Sequence, residues 1–118
     1  MAITQAFAPA GGANNTFGNS AAVTVAASNT AVALPLGIQQ GQGQLRLLNT
    51  STGIVAVVTA TTAALAVAVI PTNGAPANGY VIAAGEDTVI TIPGAAGFIG
   101  VIGALANGTV YITQGEGV

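Results

Sequence analysis

The chain has 118 residues, of which 52% are hydrophobic and only 3% are charged, whereas an ordinary soluble domain carries roughly 25% charged residues. With no histidine and no cysteine, it lacks an imidazole base, a thiol nucleophile and the usual ligands of a zinc cluster. We therefore predict that it is not an enzyme and holds no cofactor. A single Arg without any Lys also argues against nucleic acid as a partner.

The first part of the chain differs in composition from the rest. Residues 1–20 are rich in Gly, Ala and Asn and show neither the strand nor the helix periodicity of apolar residues. We predict an extended N-terminal arm over 1–20 and one β-domain over 21–118. The first ten residues contain no basic residue and no long apolar run, so they predict no signal peptide, and we expect synthesis and folding in the cytoplasm.

From residue 21 onward, short apolar or alternating runs are separated by Gly, Asn and Pro at intervals of roughly ten residues, a spacing typical of all-β folds. We predict an antiparallel β-sandwich, similar to a jelly roll. The pattern predicts nine strands, at 21–28, 31–36, 44–49, 54–60, 64–70, 80–83, 88–92, 98–105 and 109–114.

The sequence Asn107-Gly108 is the clearest turn signal, because a two-residue hairpin requires positive φ angles that Asn-Gly tolerates. It predicts that the last two strands pair with each other. In the last strand Val110 and Ile112 should face the core, while Tyr111 points to the opposite side.

Two strands are apolar on both sides. Neither the run at 54–58 nor the run at 98–105 alternates with polar residues, so both faces of these strands need cover. In a short two-sheet domain the second face is expected to meet another subunit. We therefore predict a homo-oligomer whose uncharged sheet edges are covered by neighbours or by the arm.

The run at 54–70 has an alternative interpretation. It is uncharged, and its length reaches the lower limit for a transmembrane helix. Most of its residues are β-branched or Ala, neither flank carries a cation, and β-branched residues favour strands. We therefore predict two strands turning around Thr61 and Thr62 and no membrane association, with a membrane span near 54–70 as the alternative.

The candidate site residues are Arg46, Glu86 and Asp87. Adjacent residues entering a strand point in opposite directions, so the two carboxylates should diverge in a solvated turn, where Asp87 is expected to bond a nearby backbone amide. A cation site shared between subunits is the alternative. Arg46 is predicted to form an ion pair with Glu86 or Asp87, or a subunit contact, because an unpaired Arg beside core leucines is unfavourable. No catalytic, cofactor-binding or metal-binding residue is predicted, and the glycine-rich stretch 37–43 indicates a loop.

Three stretches resemble a known class of protein: LRLLNT at 45–50 followed by the apolar strand, AAGEDTV at 83–89, and GTVYITQGEG at 108–117. They are similar to small all-β proteins of tailed-phage structural gene clusters, the capsid decoration or cement proteins. The resemblance covers about residues 44–117. It implies a sandwich or jelly roll present in many copies on the virion, as a trimer or dimer over capsomer junctions, with the major capsid protein as partner.

The composition agrees with this resemblance. A cement protein needs no catalysis, its arm can add backbone hydrogen bonds to a neighbour's sheet edge, and repeated weak contacts combine through multivalency. The hypothesis is thus a bacteriophage structural protein on the capsid surface that bridges adjacent shell subunits. An alternative is a receptor- or carbohydrate-binding module of a tail or fibre, for which the chain offers five aromatic residues, among them Phe98 and Tyr111. A second alternative is a small membrane protein with a span near 54–70.

Overall fold

The computed structural model describes residues 8–9, 20–35, 42–92 and 95–117. Within these ranges the chain forms only strands, turns and irregular segments, which confirms the predicted all-β class. Of the predicted arm, only Ala8–Pro9 and Ser20 lie in the described part. The strands are β1 (Ala8–Pro9), β2 (Ser20–Thr24), β3 (Thr30–Ala33), β4 (Gln42–Asn49), β5 (Val55–Ala60), β6 (Tyr80–Ile82), β7 (Asp87–Thr91), β8 (Phe98–Gly103) and β9 (Thr109–Gly117).

The strands form two antiparallel sheets. The first sheet has the order β7-β4-β9. The other edge of β9 pairs with two strands at successive positions along its length, β2 and the short β1. The second sheet has the order β3-β8-β5-β6. The inner faces of the two sheets share one apolar cluster, so the architecture is a β-sandwich, as predicted.

The core follows the two-residue period of the strands. In β4 the buried residues alternate with exposed Arg46 and Leu48, and in β9 Val110 and Ile112 are buried while Tyr111 is exposed, which confirms the predicted faces. Burying each large aliphatic side chain contributes about 1.5–3 kcal/mol relative to leaving it in water. The largest buried aliphatic side chains are Leu45, Leu47, Ile82, Ile99, Ile112, Val23, Val25, Val55, Val57, Val101 and Val110.

The prediction that β8 and β9 form a hairpin is wrong. β8 pairs with β3 and β5 in the second sheet, whereas β9 belongs to the first. Gly108 has the positive φ expected of the turn, 77°, and its carbonyl oxygen accepts a hydrogen bond from the Val25 amide at 3.0 Å. The turn therefore carries the chain from one sheet to the other, because both edges of β8 are already paired, with β3 and with β5.

The predicted strand at 64–70 is also absent. Residues 63–65 form a turn and 66–70 run without a ladder partner. Ala66 and Ala68 are buried, and the Asn29 side chain holds both: its Nδ2 donates to the Ala66 carbonyl oxygen at 3.0 Å and its Oδ1 accepts from the Ala68 amide at 2.8 Å. One side-chain amide thus replaces the neighbouring strand that this segment lacks.

The stretch 61–79, called here the covering segment, lies over the outer face of the second sheet. A Cβ added to Gly100 would be 2.0 Å from the Ala66 carbonyl oxygen, and one added to Gly79 would be 3.7 Å from the Ala56 Cβ. The chain itself therefore covers part of the face for which another subunit was predicted. This explains why β5 and β8 are apolar on both sides.

The alternative of a membrane-spanning helix over 54–70 is wrong. Its first half is strand β5 and its second half belongs to the covering segment. In the described part of the chain, no helix has the length and hydropathy to cross a bilayer.

Candidate functional site

Two of the three predicted site residues, Arg46 and Asp87, meet on the outer face of the first sheet. Arg46 lies on β4 and Asp87 begins the adjacent strand β7, where Asp87 faces Leu48 in the register and Arg46 faces Val89. The two charges are diagonal neighbours. The Arg46 Nε donates to both carboxylate oxygens of Asp87, at 2.9 and 3.1 Å, and Nη2 donates to Oδ2, so the guanidinium binds the carboxylate as a fork.

Glu86 does not join this pair. Its Oε1 accepts a hydrogen bond from the Ala83 amide at 2.7 Å, and the Glu86 amide donates to the Ala83 carbonyl oxygen at 3.1 Å. The side chain therefore closes the turn before β7. The two carboxylates diverge, and the backbone contact expected of Asp87 is made by Glu86. In the described residues no group of three or more acidic side chains is placed to hold a metal ion.

The electrostatics of the pair are those of a solvated contact. The hydrogen bond from Arg46, together with the positive charge of its guanidinium, holds the pKa of Asp87 below its usual value, and the same bond raises the pKa of Arg46. The side chains remain 54% and 39% exposed. Water and salt therefore screen the attraction, and the pair contributes little to stability.

We expect Asp87→Asn to lower the urea midpoint of unfolding only slightly at neutral pH, and the difference from wild type to disappear in acid. Because the folded-state pKa of Asp87 is lowered, its contribution is fully present above the unfolded-state pKa and is lost as the pH falls through the folded value. Urea titrations at neutral and acid pH, in low and high salt, check this. A difference that persists in acid and in high salt would show that Asp87 acts through something other than its charge.

The face around the pair is partly apolar. Tyr111 on β9 is 48% exposed and lies between Ala22 of β2 and Leu48 of β4 in the register. Val89 is exposed beside Arg46, and the Ser20 and Thr113 hydroxyls are 3.0 Å apart in a hydrogen bond. We call this surface the ion-pair face. It presents one aromatic ring, aliphatic side chains, hydroxyls and one neutralised charge pair.

The opposite side of the sandwich carries a second exposed apolar surface. On the covering segment, Leu65, Val67 and Val69 are 65%, 48% and 49% exposed, and we call them the apolar ridge. Their neighbours Ala66 and Ala68 are the buried residues. The alternation is the reverse of an ordinary buried strand, since the small side chains face the protein and the large ones face solvent.

A polar cluster at one end of the sandwich was missed by the sequence analysis. Asn49 is fully buried: its Nδ2 donates to the Gly53 and Ala83 carbonyl oxygens at 3.2 and 3.0 Å, and its Oδ1 accepts from the Ser51 amide at 2.9 Å. Nearby, Asn107 Oδ1 accepts from the Thr52 amide at 3.0 Å. The cluster ties three connections together and has a structural role. The sequence carries one signal of this cluster, the polar residue Asn49 at the end of the apolar strand β4.

The glycine-rich stretch predicted as a loop, 37–43, lies largely outside the described residues. For its last two residues the loop prediction is wrong: Gln42 and Gly43 begin β4, opposite Gly117 and Glu116 of β9.

Comparison with known proteins adds nothing to these observations. No protein-family model matches the chain, and no curated protein and no solved structure is detectably similar to it. The functional argument therefore rests on the chain's own surfaces.

Proposed function

We propose that this chain is a structural protein of a bacteriophage virion, a capsid decoration or cement protein that binds the major capsid protein and bridges adjacent shell subunits. It is made in the host cytoplasm, acts without catalysis and is displayed on the capsid surface as a homo-oligomer. The observation that carries the proposal is the apolar ridge, where three large aliphatic side chains face solvent while alanines face the protein.

The ridge has the properties of a contact surface. Contiguous exposed apolar side chains mark interaction sites on proteins, and burying them against a partner contributes about 25 cal/mol per Å². No residue between Leu47 and Gly85 is charged, so a partner docking there desolvates no ion. Even a weak contact of this kind becomes strong when it repeats over a shell.

The ion-pair face makes a bridging role possible. It lies on the outer side of the first sheet, while the ridge lies over the outer side of the second. One domain can therefore contact two neighbours at once. The short strand β1, which pairs with β9 at Gly115 and Glu116, supports a role for the N-terminal arm in extending sheet edges.

The direct test is localisation in the particle. Virions of the phage whose genome encodes this chain would be purified, the copy number of the chain relative to the major shell subunit measured, and its position determined by electron cryo-microscopy. The proposal requires many copies at the junctions between shell subunits. Absence from the virion would overturn it, and a few copies on the tail would favour the alternative below.

The double substitution Val67→Ser and Val69→Ser is expected to leave the fold unchanged while reducing the affinity for shells that lack the chain by at least ~10-fold, since each buried valine contributes about 1.5 kcal/mol or more. Co-sedimentation of purified protein with such shells measures the effect. The matched control is Val89→Ser on the ion-pair face. Equal losses would show that both faces bind, and unchanged binding by the double variant would exclude the ridge as the contact.

A receptor- or carbohydrate-binding module of a tail or fibre is the second candidate, favoured by Tyr111. Its exposed ring lies on a flat sheet face beside hydroxyl-bearing strands, and aromatic rings with a polar tip are common in recognition surfaces. Saturable binding to a glycan array that is lost in Tyr111→Ala would support this role.

A further inference from the structure

The chain contains the sequence Asn-Gly three times, at 73–74, 78–79 and 107–108, in three different environments. We propose that Asn73 and Asn78 are sites of spontaneous deamidation in the folded protein, whereas the fold protects Asn107. This inference concerns the chemistry of the chain alone and does not depend on the proposed function.

The reaction requires only water. The backbone nitrogen of the glycine attacks the side-chain Cγ of the preceding asparagine, a new C–N bond closes a succinimide ring, and the Cγ–Nδ2 bond breaks to release ammonia. Water then opens the ring at either carbonyl, giving aspartate or isoaspartate. Glycine permits this attack because it has no side chain to obstruct the ring and its backbone is conformationally free.

Asn107 cannot make this approach without breaking its hydrogen bonds. Its Oδ1 accepts from the Thr52 amide and from the Ser51 hydroxyl, both at 3.0 Å, and its Nδ2 donates to the Thr52 Oγ1 at 3.0 Å. The backbone of the following glycine packs against residue 51 on one side, since a Cβ added to Gly108 would be 2.6 Å from the Ser51 amide nitrogen. These hydrogen bonds therefore hold the Asn107 side-chain amide in place.

The side chains of Asn73 and Asn78 have no such restraint, although the glycine after Asn78 is packed, since a Cβ added to Gly79 would be 3.2 Å from the Val57 carbonyl oxygen. Both are exposed, and no hydrogen bond joins either side chain to another residue in the described part of the chain. Asn73-Gly74 forms the tip of a turn closed by the Ala75 amide, which donates to the Thr72 carbonyl oxygen at 2.9 Å, and a Cβ added to Gly74 would meet no atom within 4 Å. The attack at this site is thus sterically open.

Deamidation would change the electrostatics of the covering segment. The segment carries no charge, and the whole chain has a formal net charge of only −2. Each converted asparagine adds one carboxylate, so complete reaction at Asn73 and Asn78 doubles the net negative charge. Charge-based separation therefore resolves the products from the unreacted protein.

The experiment incubates the full-length folded protein in mildly alkaline buffer and follows each site by peptide mass spectrometry, with isoaspartate identified by fragmentation. We expect Asn73 and Asn78 to react at least ~10-fold faster than Asn107, which corresponds to a barrier difference of about 1.4 kcal/mol. In denaturant the three rates should converge, because the three sites share the same dipeptide. Equal rates in the folded protein, or a difference that survives unfolding, would overturn the inference.

A substitution tests the protection directly. Thr52→Val removes the hydroxyl that binds the Asn107 amide, on an exposed residue, and should accelerate reaction at Asn107 alone. Asn73→Gln, which disfavours the five-membered ring, is the control that should stop reaction at 73 and leave Asn78 and Asn107 unchanged. An unaltered Asn107 rate in Thr52→Val would show that the bond to the Thr52 hydroxyl is not what protects Asn107.

Discussion

Replacing Gly100 with alanine is expected to lower the free energy of unfolding by about 3 kcal/mol or more, at the upper end of what overpacking costs. The added Cβ would be 2.0 Å from the Ala66 carbonyl oxygen and 2.7 Å from the Asn29 Oδ1. Because the obstructing atoms include backbone, β8 and the covering segment must separate. Urea unfolding measures the loss, and increased proteolysis within 61–79 would locate it.

The matched control is Gly97→Ala, one residue before β8. A Cβ at Gly97 meets no atom within 4 Å, and its amide keeps its hydrogen bond to the Ala60 carbonyl oxygen at 2.9 Å. We expect its stability to stay within about 1 kcal/mol of wild type. If Gly100→Ala were equally mild, the covering segment would not be packed on β8 as described.

Asn49→Ala is expected to reduce the free energy of unfolding by about 3 kcal/mol. The substitution leaves the Gly53 carbonyl oxygen and the Ser51 amide without their partner, while the Ala83 carbonyl oxygen keeps its bond from the Glu86 amide. Each buried polar group left unpaired costs about 1–3 kcal/mol. Thermal or urea unfolding measures this loss.

Asn49→Asp separates hydrogen bonding from packing, because aspartate has nearly the same shape. It retains an acceptor for the Ser51 amide but places oxygen against the two carbonyl oxygens that asparagine binds with Nδ2. We expect a loss at least as large as that of the alanine variant at neutral pH. A stable Asn49→Asp protein would mean that the cavity, and not the hydrogen bonds, causes the alanine effect.

Much of the fold could be predicted because strand periodicity is a local property. The alternation in β9 separates Val110 and Ile112 from Tyr111, and Gly, Asn and Pro mark where the strands end. Eight of the nine predicted strands have a counterpart in the structure, with shifted ends.

The local sequence of the remaining predicted strand, 64–70, does not show that the segment lacks a partner strand. Its β-branched residues favour extended backbone, and in the structure 66–70 has no regular secondary structure. What it lacks is a ladder partner, whose place is taken by Asn29, a residue distant in sequence. The Asn107-Gly108 turn led to a wrong strand pairing for a similar reason. Its local geometry is the same whether it joins two strands of one sheet or strands of two different sheets.

The candidate site was predictable in part. With one cation in the chain, the identity of Arg46 as the charged contact followed from composition, but the choice between Glu86 and Asp87 depended on strand register. The apolar ridge could not be anticipated, because the sequence does not show that Ala66 and Ala68 face inward while Leu65 and Val67 face solvent.

The position of β9 at the centre of the first sheet constrains when that sheet can form. β2 and β9 pair although they lie near opposite ends of the described sequence; Val23, for example, is opposite Val110. β4 pairs with β9 from Gln42 to Asn49. On the ribosome these earlier strands must therefore wait, with apolar faces and few charges, until the last strand has emerged. Formation of the first sheet therefore depends on contacts between residues distant in sequence and is slow, and the nascent chain is vulnerable to aggregation until β9 is available.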